Sequence, residues 1–244
     1  MKSLKYLALG LSLVALAGFG VYQYLFAPPE ILERVANNKP LEFAPSEFPT
    51  SLQVIPSEET ADGFPKEVKI EAGDHSFTAR YTGQMTRSKN LLVLSIDLYA
   101  LASYAVDPPK DGDSEAMLDE MFQSGERKLL LLKFLKPLPG KHIFQAVEEE
   151  IEISFTDVDL DPLRPNMDQF LAQFANGSMP GDIVYIAWLP GGRLYSSFNE
   201  PEDVSLVLED VPFVRALWRI WFGPQSGPER FGLVSSLTGD TQMK

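Results

Sequence analysis

The stretch of sequence that decides the fold runs from Asp210 to Gly223 and reads Asp-Val-Pro-Phe-Val-Arg-Ala-Leu-Trp-Arg-Ile-Trp-Phe-Gly. Asp210 can cap a helix, Pro212 suits its first turn because a missing N–H costs nothing there, and Gly223 can end it. At helical spacing one side is apolar and the other carries two arginines: Phe213, Leu217, Ile220 and Trp221 against Arg215 and Arg219. The pattern predicts a helix that is mostly buried.

The composition narrows the classes of protein to consider. The chain has 244 residues, of which 45% are hydrophobic, enough for one sizeable globular domain or one domain with an anchor. It contains no cysteine, which excludes a disulfide framework, thiolate metal sites and cysteine nucleophiles. A net charge of −13 repels phosphate backbones, so nucleic acid is not an expected partner.

The N-terminus carries an uncharged run of 22 residues from Tyr6 to Ala27, preceded by Lys2 and Lys5. A helix of this length spans roughly 33 Å, enough for a bilayer core of about 30 Å. Residues 1–27 are therefore predicted to be a signal anchor that attaches the protein to a membrane. The alternative is a cleaved signal peptide, with Ala15-Leu16-Ala17 as its cleavage site. Both interpretations predict that the following domain is exported.

Residues 28–63 are predicted to form a proline-rich spacer, and residues 64–240 the globular domain. Six prolines interrupt any long element in the spacer: Pro28, Pro29, Pro40, Pro45, Pro49 and Pro56. An equally supported alternative is that Leu52 to Ile55 form an extra strand at a sheet edge.

The rest of the chain shows strand and helix patterns that predict an α+β fold. A hairpin around Ala72-Gly73-Asp74 precedes strands predicted at Asn90 to Tyr99, Leu129 to Leu135, Gly181 to Leu189, Arg193 to Phe198 and Val204 to Leu208. Helices are predicted from Ser114 to Phe122, with Ser114 as the cap, from Gly140 to Ile153 and from Asn166 to Phe174. This order favours helices that cover one side of an antiparallel sheet.

Several segments, in their order and spacing, carry a resemblance to a known family. They are Phe64-Pro65-Lys66-Glu67-Val68, Arg87-Ser88-Lys89, Leu98-Tyr99-Ala100, Leu130 to Leu135, Gly181-Asp182, Leu189-Pro190-Gly191-Gly192 and the aromatic helix before Pro224. Together they resemble the chalcone isomerase-like domain of bacterial proteins. The resemblance implies a curved antiparallel sheet backed by helices, with a ligand cleft between the two layers. Combined with the N-terminal anchor, it implies a single-pass protein of the bacterial inner membrane with its domain in the periplasm.

Arg87 is the strongest candidate site residue. The resemblance implies that this strand-borne arginine points into the cleft, where chalcone isomerases use it to stabilise negative charge during ring closure of an unsaturated ketone. In plant fatty-acid-binding relatives the same arginine meets a carboxylate. A guanidinium in a partly dry cleft offers a fixed fork of donors to either group. From the residues alone, the alternative is a surface arginine paired with a neighbouring acid.

The remaining isomerase positions, carried over by resemblance, fall on Leu94, with Ser95 next to it, and on His142 and Glu149. Leu94 can neither donate a proton nor orient a water molecule. His142 could serve as an acid or base, but Glu149 would oppose a developing anion. Ring-closing catalysis is therefore not expected. His142 and His75 are the only histidines and lie far apart in sequence, so no metal site is predicted.

These observations predict non-catalytic binding of a small amphipathic molecule, such as a fatty acid, between sheet and helices, without a cofactor. The predicted ligand-binding residues are Arg87, Leu94, Ser95, Tyr99 and His142, and the predicted apolar wall consists of Leu92, Leu94, Phe134, Val147 and Leu217. One alternative is an isomerase or intramolecular lyase that acts on an unsaturated ketone. The other is a protein interaction module whose acidic face meets a cationic partner.

Overall fold

The structure is a computed structural model that describes residues 52–72, 75–91, 94–123, 127–155, 160–200 and 204–238. The predicted signal anchor, and the predicted spacer up to residue 51, lie outside the described residues. Among the helices that are described, none is long and apolar enough to cross a bilayer. The anchor therefore stays a prediction from the sequence.

An antiparallel sheet organises the domain. The strands are β1 Leu52–Pro56, β2 Thr60–Ala61, β3 Phe64–Pro65, β4 Glu67–Ala72, β5 His75–Leu91, β6 Leu94–Ala105, β7 Lys128–Phe134, β8 Ile183–Leu189, β9 Arg193–Phe198 and β10 Val204–Glu209. Eight of them form one sheet in the order β1-β4-β5-β6-β7-β8-β9-β10, and β2 pairs with β3 in a small separate hairpin. Neighbours in the sheet are mostly neighbours in sequence, as short turns between antiparallel strands require.

Two strand predictions are settled by this topology. The strand alternative for Leu52 to Ile55 is confirmed, because β1 pairs with β4 at the sheet edge and Val54 lies opposite Ile70. The single strand predicted from Asn90 to Tyr99 is wrong, because β5 ends at Leu91 and β6 begins at Leu94. The apolar residues there belong to the ends of two long strands that lie opposite each other. Local periodicity alone predicts one central strand from the same residues.

The helices are α1 Ser114–Gln123, α2 Gly140–Ser154, α3 Arg164–Ala172 and α4 Val211–Phe222, with 3₁₀ turns at Asp161–Leu163, Pro224–Ser226 and Pro228–Val234. The predicted cap of α4 is confirmed, since Asp210 Oδ1 accepts a hydrogen bond from the Phe213 N–H at 3.1 Å. The cap of α1 is Asp113 rather than the predicted Ser114. Asp113 Oδ1 accepts from the Ala116 N–H at 2.9 Å, and a carboxylate one residue earlier reaches this donor.

The helices pack on one face of the sheet, around a core that includes Phe134, Phe144, Phe170 and Trp218. The other face has its own smaller apolar cluster, which joins residues of the first strands to residues of β8 and β9, among them Val54, Ile70, Ala187 and Tyr195. The cluster runs continuously across the sheet, because β5, β6 and β7 contribute Tyr81, Ala102 and Leu131 to it. The sheet therefore buries apolar side chains on both faces, and the helix layer forms the other wall of the cleft.

The last 3₁₀ turn, Pro228–Val234, crosses β5 in direct backbone contact. Gly83 has φ +147°, and a Cβ built on it would lie 2.1 Å from the Gly232 carbonyl oxygen, so only glycine permits the crossing. The Thr82 hydroxyl lies 2.8 Å from the Leu233 carbonyl oxygen and 3.1 Å from that of Ser103. The crossing fixes the end of the domain against the strand that carries Arg87.

Candidate functional site

An irregularity in the sheet positions the candidate site. Along β5 and β6, Arg87 pairs with Tyr99 and Ser88 pairs with Asp97, which leaves Leu98 as an extra residue on β6. Such a bulge interrupts the alternation of side chains between the two faces of a sheet. Leu98 and its neighbour Tyr99 consequently both line the cavity described next.

The cavity lies between the sheet, α2 and α4 and has a volume of about 120 Å³. Its walls are mostly apolar and aromatic, and they comprise Leu98, Leu132, Phe134, Leu138, Ile143, Ala146, Val147, Phe170, Phe174, Ile186, Ile220 and Trp221. Phe134 and Phe174 meet edge to face with their ring centroids 6.4 Å apart, and both rings are buried. Four polar side chains also reach the cavity: Arg87, Tyr99, His142 and Glu150.

Arg87 is held between α2 and the C-terminal segment, which is the part of the chain that follows α4. Its Nη1 donates to the Ser226 carbonyl oxygen at 3.0 Å, and its Nη2 lies 3.3 Å from Glu150 Oε1. Nη2 is buried, and among the described residues no atom accepts a hydrogen bond from it. Burial by itself lowers the pKa of Arg87, but Tyr99 and Glu150 outweigh that effect and raise it. The site therefore holds a permanent cation with spare donor capacity.

Tyr99 provides a second donor beside the guanidinium. The Trp221 indole N–H donates to the Tyr99 hydroxyl oxygen at 3.1 Å, and the Tyr99 ring packs edge to face on Phe134. Because this oxygen already accepts a hydrogen bond, the hydroxyl proton can be donated to an oxygen atom in the cavity. Tyr99 lies directly opposite Arg87 across the strand pair, so the two donors converge.

The two titratable side chains of α2 at the cavity differ in their expected charge. Burial lowers the pKa of His142, and the positive charges of Lys141 and Lys89 lower it further, so the imidazole is neutral at neutral pH. Burial raises the pKa of Glu150, with Arg87 opposing the shift and Glu149 adding to it. Glu150 is thus a carboxyl group whose pKa burial raises and whose charged form Arg87 favours.

The predicted ligand-binding residues are only partly brought together. Arg87, Tyr99 and His142 line the cavity, whereas Ser95 is exposed and lies outside it. Leu94 begins β6, near the far end of the β5–β6 hairpin, and its side chain is not among those described. Ser95 was inferred by counting along β6, and the bulge at Leu98 disturbs that count.

The predicted apolar wall is also partly correct. Phe134 and Val147 contribute to it, and Leu92 lies outside the described residues. Leu217 is fully buried but belongs to the core between the layers, and α4 contacts the cavity through Ile220 and Trp221 instead. The cavity contacts the last turn of α4. The spacing of apolar residues alone does not distinguish this turn from the turn before it.

Glu150 lines the cavity but was not among the residues predicted from the sequence. It follows Val147 by three residues and Ile143 by seven, and helical spacing places those three positions on one face. Its side chain is 28% exposed, whereas Glu149, the residue carried over by resemblance, is exposed to solvent. The spacing contained the signal, but the run of three glutamates from Glu148 to Glu150 obscured it.

The described side chains offer no alternative chemistry based on a metal. Within the described ranges, no group of three or more histidine, aspartate and glutamate side chains is arranged to hold a metal ion. One guanidinium, one phenol, one neutral imidazole and one paired carboxylate can bind and orient an oxygen-bearing group. They surround a space whose remaining surface is apolar.

Sheet, helix layer and cleft together define an α+β protein of the chalcone isomerase fold. Residues 60–231 match the family model described as chalcone isomerase-like, and the chain belongs to that family. The resemblance noted in the sequence is thereby confirmed.

Comparison with characterised proteins adds information on the fold alone. The structure is similar to the crystal structure of a fatty-acid-binding protein from Arabidopsis thaliana, with a TM-score of 0.52 and 16% sequence identity. The similarity covers 77% of this chain and 100% of that chain. A search of curated proteins gives no match. At this level of identity the likeness to the plant protein establishes a shared fold.

Proposed function

We propose that the domain binds a small amphipathic molecule with an oxygen-bearing head group and does not transform it. Arg87 and Tyr99 take the head group, preferably a carboxylate, and the apolar walls around Phe134 and Val147 take the tail. The similarity to a plant fatty-acid-binding protein supports the same class of ligand.

One observation carries this proposal: a buried guanidinium nitrogen of Arg87, which has an ion pair with Glu150 but no hydrogen bond, lies at a mostly apolar cavity. Burying a donor without an acceptor costs about 1–3 kcal/mol, so a group that supplies the acceptor is favoured. A ligand carboxylate would supply it and would also place its chain against aromatic side chains.

The dimensions of the cavity restrict the tail. Its volume of about 120 Å³ lies below the roughly 300–1,000 Å³ of pockets for drug-sized ligands. Arg87 is 19% exposed, while the wall residues Phe134, Phe170 and Ile186 are buried. A short chain fits with its head towards solvent, and a long chain requires wall side chains to move. We therefore expect octanoate to bind better than palmitate.

Calorimetric titration of the purified full chain with octanoate and palmitate tests the proposal. Wild-type protein should bind octanoate, and Arg87→Met should weaken binding by about tenfold to a hundredfold, because a charge-assisted hydrogen bond contributes about 1.5–3 kcal/mol. Arg80→Met is the matched control, since Arg80 lies on the same strand but is exposed and paired with Glu67. Equal binding by both variants would refute the assigned role of Arg87.

The enzymatic alternative has one observation in its favour. Three groups that could transfer protons, Tyr99, His142 and Glu150, surround the same cavity as Arg87. Turnover of a panel of unsaturated ketones, lost in Arg87→Met but not in Arg80→Met, would establish an isomerase or intramolecular lyase. Binding without turnover across the panel would support the non-catalytic function.

We also propose that the domain is exported and attached to the membrane by residues 6–27. The uncharged run after Lys2 and Lys5 supports this placement. In a bacterial host, protease added to spheroplasts should degrade the domain of the full chain, while a cytoplasmic marker stays intact. Protection of the domain would contradict export.

A further inference from the structure

Glu150 occupies the position that a ligand carboxylate would take beside Arg87. Its Oε1 lies 3.3 Å from Arg87 Nη2, and the two side chains are 28% and 19% exposed. Both line the cavity that is proposed to hold the ligand. The guanidinium is therefore already neutralised by a carboxylate of the protein before any ligand arrives.

We infer that Glu150 is a specificity-determining residue, an internal counter-ion that couples binding of a carboxylate ligand to uptake of one proton. This inference rests on the proposed ligand-binding function. Two carboxylates that share one guanidinium in a partly buried site repel each other, and one of them then binds a proton. The ligand takes the charged position on Arg87, and Glu150 becomes the neutral acid.

The balance of charge and protons is simple. Before binding, the site contains one cation and one anion, Arg87 and Glu150, and the ligand is an anion in water. After binding, the cation faces the ligand carboxylate, and Glu150 carries a proton taken from solvent. The net charge of the filled site equals that of the empty site, so no uncompensated charge is buried.

The other charged and titratable groups around the pair do not account for such coupling at neutral pH. Tyr99 from β6 is a phenol, and His142 from α2 is kept neutral by burial, which lowers its pKa. Glu149 is exposed on α2, and Glu229 on the C-terminal segment contributes a negative charge near Arg87. From α4, Ile220 and Trp221 face the cavity, and Arg219 lies over the Phe155 ring.

Calorimetric titration of the full chain with octanoate, in two buffers of different protonation enthalpy, measures both affinity and proton uptake. Wild-type protein should take up one proton for each octanoate bound. The affinity of the wild-type protein for octanoate should rise about tenfold for each unit by which the pH is lowered from about pH 8 to about pH 6, because a free glutamate is ionised throughout this range. 1-Octanol, which has no charge to compensate, should bind without proton uptake.

Glu150→Gln should bind octanoate at about pH 8 tenfold or more tightly than wild type, with an affinity that no longer changes between about pH 8 and pH 6. Glu149→Gln makes the same chemical change at the neighbouring, exposed position and should keep the wild-type slope. His142→Gln should also keep the slope, which separates Glu150 from the other titratable side chain of α2 at the cavity.

The outcomes distinguish this inference from the function on which it rests. Octanoate binding that depends on Arg87 but takes up no proton would overturn the role of Glu150 and leave the proposed function intact. A slope lost in His142→Gln and kept in Glu150→Gln would also overturn it. Absence of octanoate binding in wild type and in Glu150→Gln would overturn both.

Discussion

Two arginine–glutamate pairs, Arg230–Glu115 and Arg87–Glu150, lie beside the C-terminal segment, and they differ in how many hydrogen bonds the arginine makes. Arg230 donates from Nη1 to the Phe222 carbonyl oxygen at 3.0 Å, and its Nη2 donates to both carboxylate oxygens of Glu115. Arg87 has one carbonyl acceptor, and its Nη2 meets Glu150 only as an ion pair.

The difference separates an arginine that stabilises the fold from one that is available for binding. The Arg230 side chain is 6% exposed and packs by the Phe231 ring. Arg87 is more exposed, adjoins a cavity and keeps an unused donor. Hydrogen-bond saturation and burial, rather than charge, distinguish the two sites.

The strongest test of this distinction is Arg230→Met. Removing the guanidinium leaves the Phe222 carbonyl oxygen without its donor and separates α1 from the C-terminal segment, so the free energy of unfolding should fall by about 3 kcal/mol. Urea denaturation measures the loss. A loss below about 1 kcal/mol would mean that Arg230 is no more structural than an exposed ion pair.

Lys128 extends the comparison to a buried cation without a carboxylate. Its ammonium group donates to the Met121 carbonyl oxygen and lies 4.8 Å from the Trp188 ring centroid, and no ion pair with a described acid was found. Burial lowers the pKa of Lys128 to about 7, and the positive charge of Arg215 lowers it further.

The lowered pKa of Lys128 predicts a specific pH dependence. From about pH 7 to pH 9.5 the unfolded chain binds this proton more strongly than the folded protein, so stability should rise with pH by about 3 kcal/mol. Lys128→Met should abolish that rise in the free energy of unfolding, which urea denaturation measures at each pH. The raised pKa values of Tyr81 and Tyr104 affect stability only above this pH range. The same rise in Lys128→Met would assign it to other groups.

The start of α4 provides a test remote from both pairs. Asp210→Ala removes the acceptor of the Phe213 N–H and should lower the free energy of unfolding by about 1 kcal/mol. Octanoate affinity should stay at the wild-type value, because Arg87 depends on the residues after the helix end. Weakened octanoate binding in this variant would show that the whole helix, and not only its end, sets the site.

The smallest expected effect on stability belongs to Arg87→Met. Glu150 is partly exposed and can be hydrated or protonated, so the free energy of unfolding should change by less than about 1 kcal/mol. Urea denaturation of Arg87→Met and Arg230→Met, followed by circular dichroism, compares the losses in the free energy of unfolding directly. If the two variants lose equal stability, Arg87 is a structural residue and the distinction between the pairs fails.

The sequence predicted the architecture better than the site. The spacing of apolar residues in α4, its cap at Asp210 and the strand β9 are local patterns, and all were predicted correctly. The family resemblance located Arg87 and Tyr99. The bulge at Leu98 and the inward position of Glu150 depend on how distant elements pair and pack, which local periodicity cannot report.

The glycine crossing of β5 also has a consequence for the order of folding. Thr82 meets Leu233 across 151 residues, and Arg87 meets the Ser226 carbonyl across 139. During synthesis on the ribosome, the Ser226 carbonyl that accepts from Arg87 is made only after the whole intervening chain. Closing contacts of such long range is slow, so a binding-competent cleft should be among the last features to mature.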